Sequence, residues 1–444
     1  MNEVYVDVLN QGLALHKQGK FDDAALLYNR VLNRKPFDET VLFLLSDLYL
    51  RQECNGLAIN LLLNLLQNNP KNTAAWCNLG VGFRKENDYA SAKGAWMKAI
   101  GEGGETVELC GNLATLYADR AEPEKAIEWC NKALAIDPES VQAKWQKALA
   151  TLTLGDYVEG WKLYENRLKL ESWDNRASVN VPIWDGSEVD HLYIHGEQGV
   201  GDEVMFASML PFVKAKRVTI EVNATVAPII RQTWPDYTVV TEETPGDYGA
   251  KIPIGSLCGL FGKFNTQPYL TPDPDRVAFY RAELEKLGPG PYVALTWMGG
   301  AKATRVEDRS IQLEQLRPIM DAYTCVSAQY EHINPMVASE REKCGLAKIG
   351  DACNGDNLAE LAALFDAVDA VVTVQQTAVH VAGAIGAQTY AMIGAHPHWR
   401  YGVSGDMLPW YKSVRMFRQK NDWKGVVKQV LEALSANHPR VQAA

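Results

Sequence analysis

Small and bulky positions recur along the first 174 residues at a constant 34-residue step. Gly12, Ser46, Gly80, Ala114 and Ala148 share one register, and Ala24, Ala58, Ala92, Ala126 and Gly160 a second. A third carries the bulkier series Tyr28, Leu62, Trp96, Cys130 and Tyr164. A fixed period of this kind predicts stacked helical hairpins, in which small residues let paired backbones approach and the bulky series fills the groove beside them. Pro36, Pro70 and Pro138 fall where each second helix should stop, because proline lacks the N–H that the next turn needs; Gly104 takes that place in the third unit.

The pattern changes after Leu168. A passage rich in Trp, Pro, Asp and Gly, ESWDNRASVNVPIWDGSEVD, leads into short apolar strands that alternate with helical segments. HLYIHG, RVTIEVN and YTVVTEE read as strands, with VMFASMLPFVKA and APIIRQTW between them. After the loop TQPYLTPDPD and the helix RVAFYRAELEKLG the alternation restarts with YVALTW, YTCVSAQ, AVVTV and TYAMIG, separated by SIQLEQLRPIMDA, NLAELAALFDA and TAVHVAGAIG. Two consecutive doubly wound α/β units are expected, with ligands at the carboxyl ends of the strands and the last segment, DWKGVVKQVLEAL, packed back across the sheet. The predicted organisation is a helical solenoid of five repeats over 1–174, a linker over 175–190, a first Rossmann-like unit over 191–288 and a second over 289–444.

Composition narrows the chemistry. The 444 residues are 47% hydrophobic and carry a formal charge of −10, with no clustered basic stretch, which argues against binding nucleic acid. Eight cysteines lie singly at 54, 77, 110, 130, 258, 325, 344 and 353 without a CxxC pair, so reduced thiols are expected rather than disulfides or zinc. His396 and His398 lack the further ligands of a metal site. No segment approaches the roughly 20 apolar residues of a membrane span, and the start of the chain enters the first repeat directly, so a soluble cytoplasmic protein is expected.

Three loops carry candidate chemistry. GEQGVGDE, residues 196–203, follows the first strand and opens a helix near Asp202; Gly196, Gly199 and Gly201 permit close backbone approach, and the helix start favours an anion. Its order, GxxGxG, is not the dinucleotide GxGxxG, so no redox cofactor is expected. After AVVTV come Gln375, Gln376, Thr377, Ala378, Val379 and His380, where Thr377 would cap a helix whose first amides cradle a diphosphate without a metal. His380, one turn in, either reaches the phosphate or locks helix to strand. After YVALTW, the segment with Gly299, Gly300, Lys302 and Arg305 supplies cations for a departing nucleotide, or is a solvated loop.

The 34-residue grammar closely resembles the tetratricopeptide repeat. The stretches WDG (184–186), IHGEQGVGDEVMFASMLP (194–211), LAALFDAVDAVVTV (361–374), TAVHVAGAIG (377–386), HPHWRYG (396–402) and PWY (409–411) resemble bacterial proteins that fuse such repeats to a glycosyltransferase domain similar to family 9. More distantly, the second half is similar to the heptosyltransferases, and the architecture to the O-linked N-acetylglucosamine transferase. The resemblance implies a GT-B fold, a nucleotide-diphosphate-sugar donor held by the carboxyl-terminal unit, an acceptor entering from the other side, no cofactor and no obligatory metal.

By the same resemblance Asp202 is the general base, and Glu197, Gly199 and Gly201 belong to the acceptor loop. Glu197 and Glu203 are the alternative bases if Asp202 caps its helix. Lys302, Thr377 and His380 match donor-binding positions, with Arg305, Gln375 and Gln376 beside them; Arg305 and Arg309 correspond more weakly. The family has an aspartate where this chain has Gln375. Trp399 and Tyr401 either stack on the ligand or anchor packing. Two functions follow: an inverting glycosyltransferase whose repeats present a protein or peptide acceptor, or an adaptor with a degenerate catalytic domain. The repeats are equally suited to pairing with a second copy.

Overall fold

A computed structural model describes residues 2–170, 173, 179–262, 264–300, 306–331 and 335–439. The chain forms two compact units, Met1–Ala150 and Thr151–Ala444.

The first unit is a series of antiparallel helical hairpins: α1 (Asn2–Lys17) with α2 (Phe21–Leu32), α3 (Glu39–Arg51) with α4 (Asn55–Asn68), α5 (Thr73–Lys85) with α6 (Tyr89–Gly103), and α7 (Val107–Asp119) with α8 (Pro123–Ile136). The small register faces the bulky one. A Cβ on Gly12 would come within 2.7 Å of the Tyr28 ring, and one on Gly80 would collide with Trp96, whose indole N–H donates to the Cys77 carbonyl at 2.9 Å. Ala24, Ala58, Ala92 and Ala126 are buried, as are Tyr28, Leu62, Trp96 and Cys130.

Two further 34-residue series follow from helix-end chemistry. Asp38, Asn72, Thr106 and Ser140 each accept an amide N–H three residues on, from Val41, Ala75, Leu109 and Ala143, which satisfies a donor left over at the helix start. The turns inside the hairpins place Gly19, Glu53, Asn87, Ala121 and Gly155 in the left-handed region, with φ of 75°, 60°, 61°, 56° and 85°. Gly19, Asn87 and Gly155 are of residue types that this conformation favours, and Glu53 and Ala121 are not.

Helix α9 (Val141–Thr153) runs across the unit boundary, and α10 (Tyr157–Tyr164) belongs to the second unit, ahead of residue 174 where the repeat register ends. Trp161 of α10 sits edge-on against Phe206, Trp399 and Trp410, with ring centroids 6.1, 5.8 and 5.8 Å away.

The rest of that unit is α/β. Strands β1 (Val189–His195), β2 (Ala215–Glu221), β3 (Thr238–Val240) and β4 (Ala250–Pro253) form a parallel sheet in the order β3-β2-β1-β4, with helices α11 (Val200–Ala207), α12 (Ala227–Thr233) and α13 (Ser256–Phe261). Helix α14 (Pro274–Leu287) leads into β5 (Tyr292–Leu295). Then come α15 (Arg317–Met320), β6 (Thr324–Ser327), α16 (Pro335–Cys344), α17 (Leu358–Ala367), β7 (Ala370–Val374), α18 (Thr377–Ile385), β8 (Thr389–Ile393), β9 (Met407–Leu408), β10 (Tyr411–Arg418) and α19 (Trp423–Asn437). The second sheet has the order β6-β5-β7-β8-β10-β9, parallel except for β9. Val293, Leu295, Val372, Val374, Tyr390 and Met392 pack in one core with Val426, Val427, Val430 and Leu434 of α19.

The sequence pattern does not show β4, β9 or β10. Four residues, AKIP, are too few to display alternation, and YKSVRMFR places Lys412 and Arg415 among its apolar positions.

Candidate functional site at the facing starts of two helices

Strand order reverses beside β1 in one sheet and between β5 and β7 in the other, and the loops leaving these strands carry the candidate residues. The starts of α11 and α18 meet there. A Cβ on Gly201 would lie 3.3 Å from Thr377 Oγ1 and 3.3 Å from His380 Cδ2, so only hydrogen at this position allows the approach without displacement. Gly196 has a different task. Its missing side chain leaves room for the Glu203 carboxylate, and its N–H donates to the Glu221 carbonyl at 2.7 Å. Gly199 is the residue before α11, and its N–H donates to Asp202 Oδ2 at 3.3 Å.

Three carboxylates of this loop separate by partner. Glu197 is 2% exposed. It accepts from Arg167 Nε at 3.0 Å, from Arg167 Nη2 at 2.8 Å and from the Gly255 amide at 2.7 Å. Arg167 is fully buried and donates also to Ser256 Oγ at 2.8 Å and Glu165 at 2.7 Å. Glu197 therefore holds the loop to the segment that follows α10, and its oxygens are committed there. Glu203, 1% exposed, accepts the Asn223 amide at 2.8 Å. Asp202 is the least buried of the three, its side chain 14% exposed. Its Oδ1 accepts from Arg400 Nε at 2.6 Å and also from Arg400 Nη2.

Arg400 lies in the turn Trp399–Tyr401 between β8 and β9. It packs over the Trp399 ring at 4.5 Å, donates to Gln198 Oε1 at 3.3 Å and contacts the His398 ring. Gln198 has φ of 62°, an uncommon conformation for this residue type, and its side-chain amide donates to the Tyr164 hydroxyl. Trp399 and Tyr401 are 7% and 4% exposed, so they anchor packing in this structure.

The start of α18 departs from the expectation in one respect. Gln376, not Thr377, occupies the cap position, and among the described residues no side chain caps the helix. Gln376 Nε2 instead donates to Gln329 at 3.4 Å. Gln329, which no motif singles out, is fully buried and accepts the Trp297 and Met298 amides at 3.0 Å each, fixing the exit of β5. Gln375 is fully buried, and neither atom of its side-chain amide has a hydrogen-bond partner among the described residues. Its carbonyl accepts from Arg309 Nη1 at 3.0 Å. A Cβ on Gly299 would lie 3.4 Å from the Arg309 guanidinium carbon, so a glycine again admits the neighbouring group. Lys302 and Arg305 lie outside the described residues.

His380 is buried, and burial, reinforced by the Arg400 charge, pulls its imidazole down to about 3. It is neutral at ordinary pH. Its Nδ1 lies 3.3 Å from the Tyr411 hydroxyl, which is 3.3 Å from the Tyr269 hydroxyl, which donates to the Val204 carbonyl at 2.7 Å. With the Tyr269 proton spent on Val204, Tyr411 donates to Tyr269 and receives the Nδ1 proton, so the chain ties α18 to α11. The His380 imidazole thus meets the Tyr411 hydroxyl of β10.

Tetratricopeptide repeats match residues 9–72 and 107–140. Among solved structures the chain is similar to MamA, at 25% identity and a TM-score of 0.33 over 36% of this chain and 92% of that one. It is also similar to TTC0263, a thermophilic tetratricopeptide-repeat protein of Thermus thermophilus, at 20% identity and a TM-score of 0.34 over 38% and 91%. A stretch of 105 residues, 22% of this chain, is 32% identical to 18% of the Translocon at the outer membrane of chloroplasts 64 of Pisum sativum. The Protein FlbA of Caulobacter vibrioides is 30% identical over 422 residues, covering 85% of this chain and 69% of that protein. The chain thus belongs to the FlbA family, with tetratricopeptide repeats in its amino-terminal region.

Proposed function

We propose that this protein is an inverting glycosyltransferase of GT-B type that moves a sugar from a nucleotide-diphosphate donor to a protein acceptor presented by the repeats. The observation that carries this reading is the uncapped start of α18 beside the cleft carboxylate Asp202, with the Arg309 guanidinium bound at the Gln375 carbonyl. Backbone N–H groups and a guanidinium suit a diphosphate and need no metal to offset its charge.

In the reaction the acceptor hydroxyl oxygen attacks the anomeric carbon. The bond from that carbon to the phosphate oxygen breaks, and the electron pair leaves with the nucleoside diphosphate. The hydroxyl proton passes to Asp202, and single displacement inverts the configuration. Lys302, by the family resemblance, and Arg309, by its position, stabilise the leaving charge. Repeats of this class offer concave surfaces suited to an extended polypeptide. Eight unpaired cysteines fit a reducing compartment such as the cytoplasm, and among the described residues no helix is long and apolar enough to cross a membrane.

The test is release of nucleoside diphosphate from UDP-, GDP-, ADP- and dTDP-sugars, with the product anomer read by NMR. An inverted product, with kcat falling about 100-fold or more in Asp202→Asn, supports the reading. A retained anomer, or equal turnover in the variant, contradicts it. The adaptor reading is favoured by one feature, Gln375 in place of an aspartate, and no turnover with any donor would select it.

A further inference from the structure

Both oxygens of the residue assigned as proton acceptor are hydrogen-bonded within the protein. Oδ1 of Asp202 receives two N–H groups of Arg400, and Oδ2 receives the Gly199 amide. A hydroxyl approaching Oδ1 meets the Arg400 fork, and Oδ2 already accepts the Gly199 N–H at 3.3 Å. The start of α18 has the opposite lack. Among the described residues no side chain caps it, and the buried amide of Gln375 beside it has neither of its atoms bonded, an arrangement that costs about 1–3 kcal/mol. The start of α18 can thus accept an anion, while the Asp202 carboxylate is held by a cation.

We propose that Arg400 is an exchangeable counter-ion: it holds Asp202 when the site is free and transfers to the phosphates of a bound nucleoside diphosphate, leaving Asp202 open to the acceptor hydroxyl. This rests on the glycosyltransferase reading above and adds a positioning residue to it. Arg400 is placed for both states. Its charge acts on His380, in the first turn of α18, and together with that of Arg309 on the Tyr401 hydroxyl, so both guanidiniums lie near Tyr401. Its side chain is 11% exposed and packs over Trp399, a face on which a planar guanidinium can turn without losing its apolar contact. The exchange is downhill because a diphosphate offers more charge and more acceptor oxygens to the planar fork than one carboxylate does. It also orders events, since the base is exposed only after the donor has bound.

The test is calorimetric titration of the full-length protein with inorganic pyrophosphate. If Arg400 is shared between Asp202 and the anion, Asp202→Asn frees it, and pyrophosphate binds about tenfold tighter than to wild type. Arg400→Gln binds about tenfold more weakly, and the double variant matches Arg400→Gln, because the gain from Asp202→Asn acts only through Arg400. Arg400→Lys, which keeps the charge and loses the fork, falls between wild type and Arg400→Gln and decides the matter if Arg400→Gln fails to fold. Unchanged or weaker binding in Asp202→Asn overturns the proposal, as does wild-type affinity in both Arg400 variants or the absence of binding throughout. The two readings fail separately. A protein that shows the tighter binding of Asp202→Asn and never turns over a nucleotide sugar keeps the exchange and loses the transferase.

Discussion

Gly201 and Thr377 touch where the starts of α11 and α18 meet, and a methyl fits only if a neighbour gives by a few tenths of an ångström: a Cβ on Gly201 would stand 3.3 Å from Thr377 Oγ1. Gly201→Ala is therefore expected to be nearly neutral, because the gain in helix propensity offsets a shift of a few tenths of an ångström. Gly201→Val is expected to cost about 1–3 kcal/mol and to part the two helix starts. Chemical denaturation of both variants checks this, and equal stability of the two would show that the contact is not tight.

The Arg167–Glu197 pair gives a second prediction. Both side chains are buried, so Arg167→Met, which strands the Glu197 carboxylate, should destabilise by about 3–5 kcal/mol. The double variant Arg167→Met/Glu197→Leu should recover most of that loss, because it removes the unpaired charge as well. Thermal unfolding of the three proteins reads the difference; a double variant no better than the single one points to the remaining bonds, to Ser256 and Glu165, as the dominant contribution.

His380 makes stability depend on pH. Its folded value near 3 lies below the ordinary 6.5, so the unfolded chain binds the extra proton between those values. The stabilisation is complete above 6.5 and is lost as pH falls toward 3, amounting to about 2 kcal/mol at pH 5. Denaturation at pH 7 and pH 5 should show this loss in wild type and a smaller one in His380→Gln. Parallel profiles would place the titration elsewhere.

The left-handed turns of the repeats provide a prediction independent of the site. Ala121 adopts φ of 56°, where a Cβ is strained and a glycine is not. Ala121→Gly is expected to stabilise the repeats by about 0.5–1 kcal/mol, and Ala121→Val to destabilise them by more than that. Opposite shifts in melting temperature check the pair.

The repeats were legible because their signal is local and recurs: Gly12 and Tyr28, or Gly80 and Trp96, are 16 residues apart and reappear in each hairpin. The turn conformation at Glu53 and Ala121 was hidden because residue type there does not follow backbone type. In the site, the sequence located the loops and not their partners. Asp202 and Arg400 are 198 positions apart, and nothing in the spacing announces that they pair. Glu197 reads like Asp202 along the chain, and only burial against Arg167 separates an internal ion pair from a group in the cleft. The glycines show the same limit. Gly196 makes room for Glu203 and Gly201 for α18, two packing reasons that a glycine-rich loop does not distinguish from ligand approach.

The most direct measurement is the thermal shift of the purified protein with each nucleotide sugar, made on wild type, Asp202→Asn and Thr377→Trp. Binding to the folded state alone raises the melting temperature by mass action. Stabilisation of wild type and Asp202→Asn by one donor, lost in Thr377→Trp whose indole fills the start of α18, is the predicted result. No shift with any donor, or an equal shift in Thr377→Trp, would contradict a donor site at this helix.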